Sequence, residues 1–362
     1  MTLSVAPPSP PPSPLAEAHW RSLLRLAFAG WLNCLLTLLS LAFLALILPP
    51  LLGWAITHAT WAGAAQDCRA QAGACWAFVA AKARFILFAF YPTDQLWRPI
   101  LIIIGLLALM TASALPVLWG RRLLVAWPLA LIGAWQLMAG GIPLLPRVSV
   151  NDWGGLAVTL LLWSSCMAFA FPAAVLVALA RQSRMGGLRT LAVAYVEVMR
   201  ATPMVAVLYF AMLILPMALP EGVVLDKITR ASILIALFWT AYMAEVVRGG
   251  LQTVPTGQFE AAQALGLGYW RAVALVVLPQ ALRKVIPGIV NLAIGFLLST
   301  SLLAVIGIFD LLNAAKASAT DPAWLGFYDE AYLFAAAIYF LLCYSGSRYS
   351  LWLERRLSRG RL

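Results

Sequence analysis

The sequence predicts an all-α, polytopic transmembrane protein, and its composition and the length of its apolar runs carry that prediction. Of 362 residues, 63% are hydrophobic and only 11% are charged, whereas a soluble domain of this size needs far more surface charge. Apolar runs recur along the chain, and a helix needs roughly 20 residues to cross the hydrocarbon core. Because these runs are continuous rather than alternating, they favour membrane helices over membrane strands.

The N-terminal region predicts a tail followed by a first span. Residues 1–26 contain the run APPSPPPSP (residues 6–14), which is typical of a disordered segment and is expected in the cytoplasm. The first span covers residues 27–52 and is preceded by Arg21 and Arg25. Its length favours a retained anchor, and cleavage within ATWAGAAQ is the alternative.

A semi-polar loop at residues 57–97 follows the first span. It includes the moderately apolar segment CWAFVAAKARFILFAFY, which Lys82 and Arg84 interrupt, so we expect an interfacial helix there. Cys68 and Cys75 lie in the same loop with six residues between them. In an oxidising periplasm that spacing allows a disulfide, and two unrelated free thiols are the alternative.

Seven further spans complete the predicted topology, at residues 98–118, 123–145, 155–180, 190–219, 229–248, 286–308 and 330–347. Eight spans place both termini in the cytoplasm. Of the 25 Lys and Arg residues, 17 then lie inside and 8 outside, as the positive-inside rule requires. The same distribution explains the net charge of +11 without a nucleic-acid partner.

Three regions follow from this topology. They are the tail at residues 1–26, an N-terminal extension at 27–150 with about three spans and a periplasmic loop, and a five-helix transmembrane domain at 151–355.

A polar, glycine-containing segment, EAAQALGLGYWRAVALVVLP (residues 260–279), lies between the sixth and seventh spans on the predicted cytoplasmic side. Its start predicts a short amphipathic helix. Gly266 and Gly268 permit a turn that residues with side chains resist, and Pro279 is expected to bend the second helix or begin a new turn. A short exposed helix of this kind buries its apolar side by docking into a groove of a soluble partner.

This segment resembles the EAA loop of bacterial ABC importer permeases. The spacing E-A-A-x3-G, followed by a terminal Leu-Pro, is matched by Glu260, Ala261, Ala262, Gly266, Leu278 and Pro279, with Val276 where isoleucine is common. An ordinary surface helix is the alternative for the E-A-A triple alone.

Three other stretches are similar to the polar-amino-acid branch of these permeases. They are WGGLAVTLLL (153–162), EVMRATP (197–203) and AYMAEVVRGGLQTVPTGQFEAAQALG (241–266). Ala201 departs from that branch, which commonly has glycine before Thr-Pro. The resemblance covers residues 150–355, and the extra N-terminal spans with GACWAF (73–78) resemble the longer permease subunits of general L-amino-acid ABC importers.

The resemblance implies a type I ABC importer permease fold with extra N-terminal helices in the bacterial inner membrane. It implies ATP-driven import of amino acids from periplasm to cytoplasm by alternating access. The implied partners are a second homologous permease, two ATPase subunits that grip the EAA loops, a periplasmic amino-acid-binding protein and the lipid bilayer.

The chain itself is expected to be a transport subunit rather than an enzyme, with ATP and Mg used by the partner ATPase. None of its four lysines follows a glycine, as the lysine of a P-loop must. With two histidines and no cluster of metal-ligand spacing, the sequence predicts neither catalytic residues nor a metal site.

Two charged pairs lie close to the predicted cytoplasmic ends of spans. Glu197 and Arg200 are three residues apart, as are Glu245 and Arg248, so each pair shares a helix face. Isolated charges inside a membrane are costly. One interpretation is neutralisation within each helix, and the other is that some of these residues bridge two permeases or gate the inner mouth.

An amino-acid pathway needs polar groups near the middle of the membrane. The intramembrane candidates are Thr240, Tyr242, Asn291, Ser299, Thr300 and Ser301. For each of them, a hydrogen bond to its own helix or to a neighbour is the alternative. Two other functions stay open at this point: an ion-coupled secondary amino acid transporter and a membrane scaffold.

Overall fold

The structure is a computed structural model that describes residues 25, 27–143 and 145–358. The tail predicted at residues 1–26 therefore lies almost wholly outside the described residues. The chain forms two compact units, residues 1–77 and residues 78–362. The boundary predicted between residues 150 and 151 stays a prediction.

The first unit consists of one long apolar helix and a small disulfide-linked loop. Helix α1 (Trp31–Leu52) continues into a π-helical turn at Gly53–Thr57, and none of its residues is buried within the protein. A helix that is apolar on every side belongs in lipid. After the short helix α2 (Ala65–Arg69), a disulfide joins Cys68 to Cys75, and both cysteines are buried.

In the described part of the second unit, all regular secondary structure is helical apart from the two-residue strand β1 (Phe309–Asp310). Its helices, the first of which begins at the end of the first unit, are α3 (Trp76–Phe88), α4 (Trp97–Ala114), α5 (Arg121–Ala139), α6 (Gly155–Arg181), α7 (Gly186–Ala201), α8 (Met204–Tyr209), α9 (Leu215–Ala218), α10 (Lys227–Gln252), α11 (Thr256–Ala264), α12 (Tyr269–Ala272), α13 (Leu278–Ser299), α14 (Leu311–Ser318) and α15 (Tyr328–Ser358).

Among the described residues, seven helical runs are long and apolar enough to cross a bilayer, and a bent pair of helices makes eight crossings when it counts as one. The all-α polytopic fold class is thus confirmed. The segment at Trp76–Phe88 is helical but, at 13 residues, covers only about 20 Å. That length is too short for the hydrocarbon core.

The span predicted at residues 190–219 is not one continuous helix. It consists of α7 and the run Met204–Ala218, which meet at an angle of 105°. Thr202 and Pro203 between them have extended backbones, with ψ near 130° and 138°. Proline disfavours a helical conformation in the residue before it, so the Thr-Pro sequence breaks the span.

The seventh crossing begins much earlier than predicted. The helical run extends over Tyr269–Ile306, whereas the sequence predicted a span at 286–308. Pro279 lies in the first turn of α13, as expected of a proline that begins a new turn, but the π-helical turn at Val273–Val277 directly before it keeps the run continuous. At 38 residues the run is about 57 Å long, which is nearly twice the hydrocarbon thickness.

The eighth helix is also longer than the predicted 330–347 and reaches Ser358. Its last turns carry Arg355 and Arg356, which suit a helix end that leaves the apolar layer.

Helices α6 and α10 form the centre of the second unit. On α6, Ala170, Ala174 and Ala178 are fully buried at four-residue spacing, and on α10 Ala241 and Ala244 are fully buried as well. Small side chains let membrane helices approach closely, so packing there replaces the hydrophobic effect that lipid cannot supply.

The start of α6 is held at the end of α3. Gly155 has φ +66°, and a Cβ at this position would lie 2.2 Å from the carbonyl oxygen of Leu87. Glycine is therefore required both by conformation and by space. Gly154 and Gly155 also pair with Phe309 and Asp310 of β1, which fixes the segment after the seventh crossing against α6.

Candidate functional site

The EAA loop, residues 256–279, starts almost immediately after α10 ends. Pro255 occupies the N-cap of α11 with φ −58° and ψ 140°, so its ring begins the new helix without removing a helical hydrogen bond. Helix α11 then runs for nine residues and contains the predicted Glu260, Ala261 and Ala262.

Gly266 terminates α11 through a left-handed turn. Its φ is +78°, its N–H donates to the carbonyl oxygen of Gln263 at 2.8 Å, and the N–H of Leu267 donates to that of Ala262 at 3.1 Å. These two bonds make a Schellman motif, which places glycine at the left-handed position. Gly268 differs from the prediction, because its φ of −65° and ψ of 160° are open to any residue.

The EAA loop presents a surface that the described part of the chain leaves open. Ala262 is buried against the protein, whereas Glu260 and Ala261 are exposed. Leu265 and Trp270 are 83% and 70% exposed. Apolar side chains this exposed and this close together mark a surface for a partner.

The loop is fastened to the helix that follows it. The rings of Phe259 and Tyr269 meet edge to face at 5.7 Å. The Gln280 amide donates to Oε1 of Gln258 at 3.1 Å, and Lys284 Nζ donates to the Thr253 carbonyl at 3.0 Å. Leu278 and Pro279 are the first residues of α13, so the loop is continuous with the seventh crossing.

A cluster of five charged residues joins α6, α7 and α10 two turns before α10 ends. Arg181 Nη1 donates to Glu245 at 2.5 Å, and Arg181 Nη2 donates to Glu197 at 3.2 Å. Arg248 also donates to Glu245, and Arg200 Nη1 lies 3.8 Å from the same carboxylate. Three arginines thus share two glutamates, and the charged cluster keeps a net charge of +1.

This arrangement differs in part from the pairing expected within single helices. Glu245 and Arg248 do pair along α10, but Glu197 pairs with Arg181 of α6 rather than with Arg200. Arg181, the last residue of α6, was not among the predicted site residues. Its position one residue beyond an apolar run, opposite two isolated glutamates, is the signal that could have identified it.

Most of the six intramembrane polar candidates are satisfied locally. The hydroxyls of Thr240, Ser299 and Ser301 donate to carbonyl oxygens three or four residues earlier in their own helices. Asn291 is exposed on α13. These bonds use the single donor of each hydroxyl and leave its acceptor lone pairs open.

Tyr242 and Thr300 make contacts beyond their own helices. The Tyr242 hydroxyl lies 3.4 Å from the Arg200 carbonyl, and the guanidinium of Arg200 lies 5.9 Å from the centre of the tyrosine ring. Tyr242 therefore belongs with the charged cluster. Thr300 directly follows the end of α13 and is 1% exposed, and its hydroxyl lies 3.2 Å from the hydroxyl of Tyr339.

Comparison with known proteins identifies the family. Residues 170–359 match the family described as "Binding-protein-dependent transport system inner membrane component". The match covers more than half of the chain, including the charged cluster and the EAA loop. The chain belongs to this family.

Two curated relatives align with this inner membrane component over nearly its whole length. "Inner membrane amino-acid ABC transporter permease protein YhdY" of Escherichia coli (strain K12) is 41% identical over 98% of both chains. "Glutamate/glutamine/aspartate/asparagine transport system permease protein BztC" of Rhodobacter capsulatus is 34% identical over 99% of this chain and 98% of its own. A solved structure described as "Crystal structure of an amino acid ABC transporter with histidines" is 30% identical, with a TM-score of 0.49, and covers 56% of this chain and 92% of its own.

This inner membrane component also has a buried polar network that sequence reasoning missed. Asp310 is fully buried and accepts hydrogen bonds from the N–H groups of Leu312 and Asn313, so it caps α14. The Tyr339 hydroxyl lies 3.3 Å from Asp310 and 3.2 Å from the Thr300 hydroxyl. The sequence signal was a lone aspartate between apolar runs, followed at once by a helix.

Burial controls the ionisation of Asp310. It raises the pKa of this carboxyl from 3.8 to about 6, against the lowering effect of the N–H donors and Tyr339. The hydrogen bonds of Asp310, Tyr339 and Thr300 tie the last turn of the seventh crossing, β1, α14 and the eighth crossing together.

Proposed function

We propose that this chain is the permease subunit of an ATP-driven importer that moves amino acids from the periplasm to the cytoplasm by alternating access. Membership of the binding-protein-dependent transport family supports transport, and the names of the Escherichia coli and Rhodobacter relatives support amino acids as the solute. The observation that carries the proposal is the EAA loop, whose Glu260, Leu265 and Trp270 are exposed on a segment fastened to α13.

The partners follow from this surface and the family. Two ATPase subunits would bind the EAA loops of this chain and of a second, homologous permease. A periplasmic amino-acid-binding protein would deliver the solute to the opposite face. ATP and Mg would be used on the ATPase, which supplies the driving force.

In this chain, the EAA loop acts as a lever. Helix α10 enters the loop and α13 leaves it, so a push on α11 reaches both crossings. Gly250 of α10 is already so close to α13 that a Cβ would lie 2.3 Å from Cγ1 of Val285. Helices packed this tightly shift as units rather than deform.

The charged cluster is placed to control the cytoplasmic mouth. It connects α6, the bent α7 and α10 near the end that carries the EAA loop. Because Glu245 is shared by three arginines, a shift of α10 exchanges one ion-pair partner for another instead of leaving a bare charge. We assign the gating role to Glu197, Arg200, Glu245 and Arg248 together with Arg181.

The orientation is the one predicted from the basic residues, with both termini and the EAA loop in the cytoplasm and the chain in the bacterial inner membrane. The disulfide-linked cysteines of the first unit then lie in the oxidising periplasm.

The test is uptake of a panel of labelled amino acids by vesicles that contain the full complex. We expect uptake only when ATP is supplied on the side of the membrane that carries the ATPase and the binding protein is present on the opposite side. Ionophores that collapse ion gradients should not reduce uptake. Uptake that persists without ATP and stops with ionophores would instead support the ion-coupled secondary transporter.

A further inference from the structure

A groove lies between α5 and α6, two helices that are long and apolar enough to cross a membrane. Its volume is about 730 Å³. Side chains at helical spacing on α5 form one wall, which comprises Pro128, Leu131, Ile132, Trp135, Gln136 and Ala139. Ser165, Ala168 and Phe169 of α6 form the other wall.

The length and chemistry of this groove suit a hydrocarbon chain. From Pro128 to Ala139 an α-helix rises about 16 Å, which is half of the roughly 30 Å hydrocarbon core. The polar groups in the walls are satisfied within the protein, since Trp135 Nε1 donates to Ser165 Oγ at 2.9 Å and the Gln136 amide donates to the Gly140 carbonyl at 2.9 Å. The groove therefore offers apolar surface.

A basic pocket of about 770 Å³ adjoins the groove at the end of α5, and Ala139 lines both. The pocket contains Arg147, Lys227 and Arg230, with Asp226 as its one acidic residue. The carboxylate of Asp226 is engaged at the start of α10, where it accepts hydrogen bonds from two backbone N–H groups and from the Thr229 hydroxyl.

The three cations of the pocket are held without neutralisation. Lys227 donates to the Gly307 carbonyl at 3.2 Å and Arg230 to the Met212 carbonyl at 3.2 Å, and none of the three forms an ion pair among the described residues. Nε of Arg230 is buried and has no hydrogen-bond partner there.

We propose that the groove and the basic pocket together bind one anionic phospholipid. An acyl chain lies along the α5 wall, and the phosphate lies among Arg147, Lys227 and Arg230. The combination of a half-bilayer apolar groove with an unneutralised basic pocket at its end matches the shape and charge of such a lipid. The site joins α5 to α6, and it is independent of the proposed function of the EAA loop.

The test uses the full chain, purified with the partners it retains, in phosphatidylcholine vesicles. These vesicles contain either phosphatidylglycerol or phosphatidylcholine with a photoactivatable acyl chain. After illumination, peptide mass spectrometry locates the label. We expect label on residues 128–139 and 165–169, with phosphatidylglycerol favoured over phosphatidylcholine by about fivefold for each participating cation.

Two variants and two controls separate the parts of the site. Ala168→Trp fills the groove and should abolish label from both lipids, while Leu176→Trp, two turns along α6 at an exposed position, should leave it unchanged. Arg147→Gln, at an exposed position that should tolerate it, should reduce the preference for phosphatidylglycerol, while Arg121→Gln at the other end of α5 should not.

Equal labelling by the two lipids would overturn the proposal, as would unchanged labelling in Ala168→Trp. Displacement of the phosphatidylglycerol label by millimolar glutamate or aspartate would also overturn it, because the pocket would then bind a solute. Absence of label from residues 128–139 and 165–169 with both lipids would show that no acyl chain occupies the groove, with the same consequence.

Discussion

Gly266 and Gly268 lie two residues apart in one turn, but only Gly266 has a backbone conformation that disfavours residues with a side chain. Gly266 holds φ +78°, while Gly268 holds φ −65°. Neither position is crowded, since a Cβ at either would meet no atom within 4 Å. The difference between them is therefore conformational alone, which makes Gly268 a matched control for Gly266.

We predict that Gly266→Ala strains the turn by about 1 to 2 kcal/mol and lowers uptake per ATP hydrolysed. Gly268→Ala should leave the ratio of uptake to hydrolysis unchanged. Gly266→Asn should recover part of the loss, because asparagine tolerates the left-handed conformation. Equal effects of the two alanine variants in reconstituted vesicles would contradict the turn geometry.

Asp310 predicts a pH dependence with a definite sign. Its pKa of about 6 lies above the value of 3.8 in the unfolded chain, so the folded protein holds the proton more tightly. The stabilisation is complete below about pH 4 and is lost as the pH rises through about 6, amounting to about 3 kcal/mol at most.

Asp310→Asn keeps a capping side chain and removes the titration. The Tm of the wild-type protein should fall relative to that of Asp310→Asn between pH 4.5 and pH 7, as measured by thermal unfolding in detergent. Parallel Tm profiles for the two proteins would show that Asp310 does not titrate in this range.

At the scale of elements, apolar runs predicted which helices exist, and local chemistry decided where they bend and end. The span at 155–180 agrees closely with α6, because an uninterrupted apolar run has few alternatives. The fifth predicted span is interrupted, and the seventh begins earlier than predicted. Proline has opposite effects on the helix in the two spans. Pro203 breaks a helix, whereas Pro279 is absorbed by a π-helical turn that composition does not reveal.

The candidate site likewise has a part that the local sequence predicts and a part that depends on helix packing. The EAA spacing located the loop, because Gly266 has a conformational role that is visible in the sequence. The charged cluster depended on Arg181, which approaches Glu197 and Glu245 only after three helices pack. Contacts between residues 16 and 64 positions apart are set by helix packing, and the sequence shows isolated charges beside apolar runs but not which of them meet.

The charged cluster predicts unequal effects for its two glutamates. Glu245→Gln leaves three arginines without their shared partner and should cost about 1 to 3 kcal/mol, with a lower Tm. Glu197→Gln removes one contact of a side chain that is 60% exposed and should cost less than about 1 kcal/mol. A larger loss of Tm for Glu197→Gln than for Glu245→Gln would contradict the central place of Glu245.

At the scale of the whole molecule, the proposed orientation predicts which residues face each compartment. A membrane-impermeant maleimide should label Gln263→Cys only from the cytoplasmic side and Arg147→Cys only from the periplasmic side, compared with the parent chain. Both positions are exposed, so access rather than burial decides the labelling. Labelling of Gln263→Cys from outside would place the EAA loop in the wrong compartment.

In the proposed mechanism, force from a separate ATPase enters through the EAA loop. The most direct measurement is the ratio of amino-acid uptake to ATP hydrolysis in vesicles that contain the complex with Glu260→Lys, compared with Glu354→Lys. Both substitutions reverse an exposed charge, and Glu354 lies on the last turns of α15 outside the loop. We expect Glu260→Lys to lose uptake while the inserted complex still hydrolyses ATP, and Glu354→Lys to behave as the wild type. Normal uptake by Glu260→Lys would contradict the mechanism.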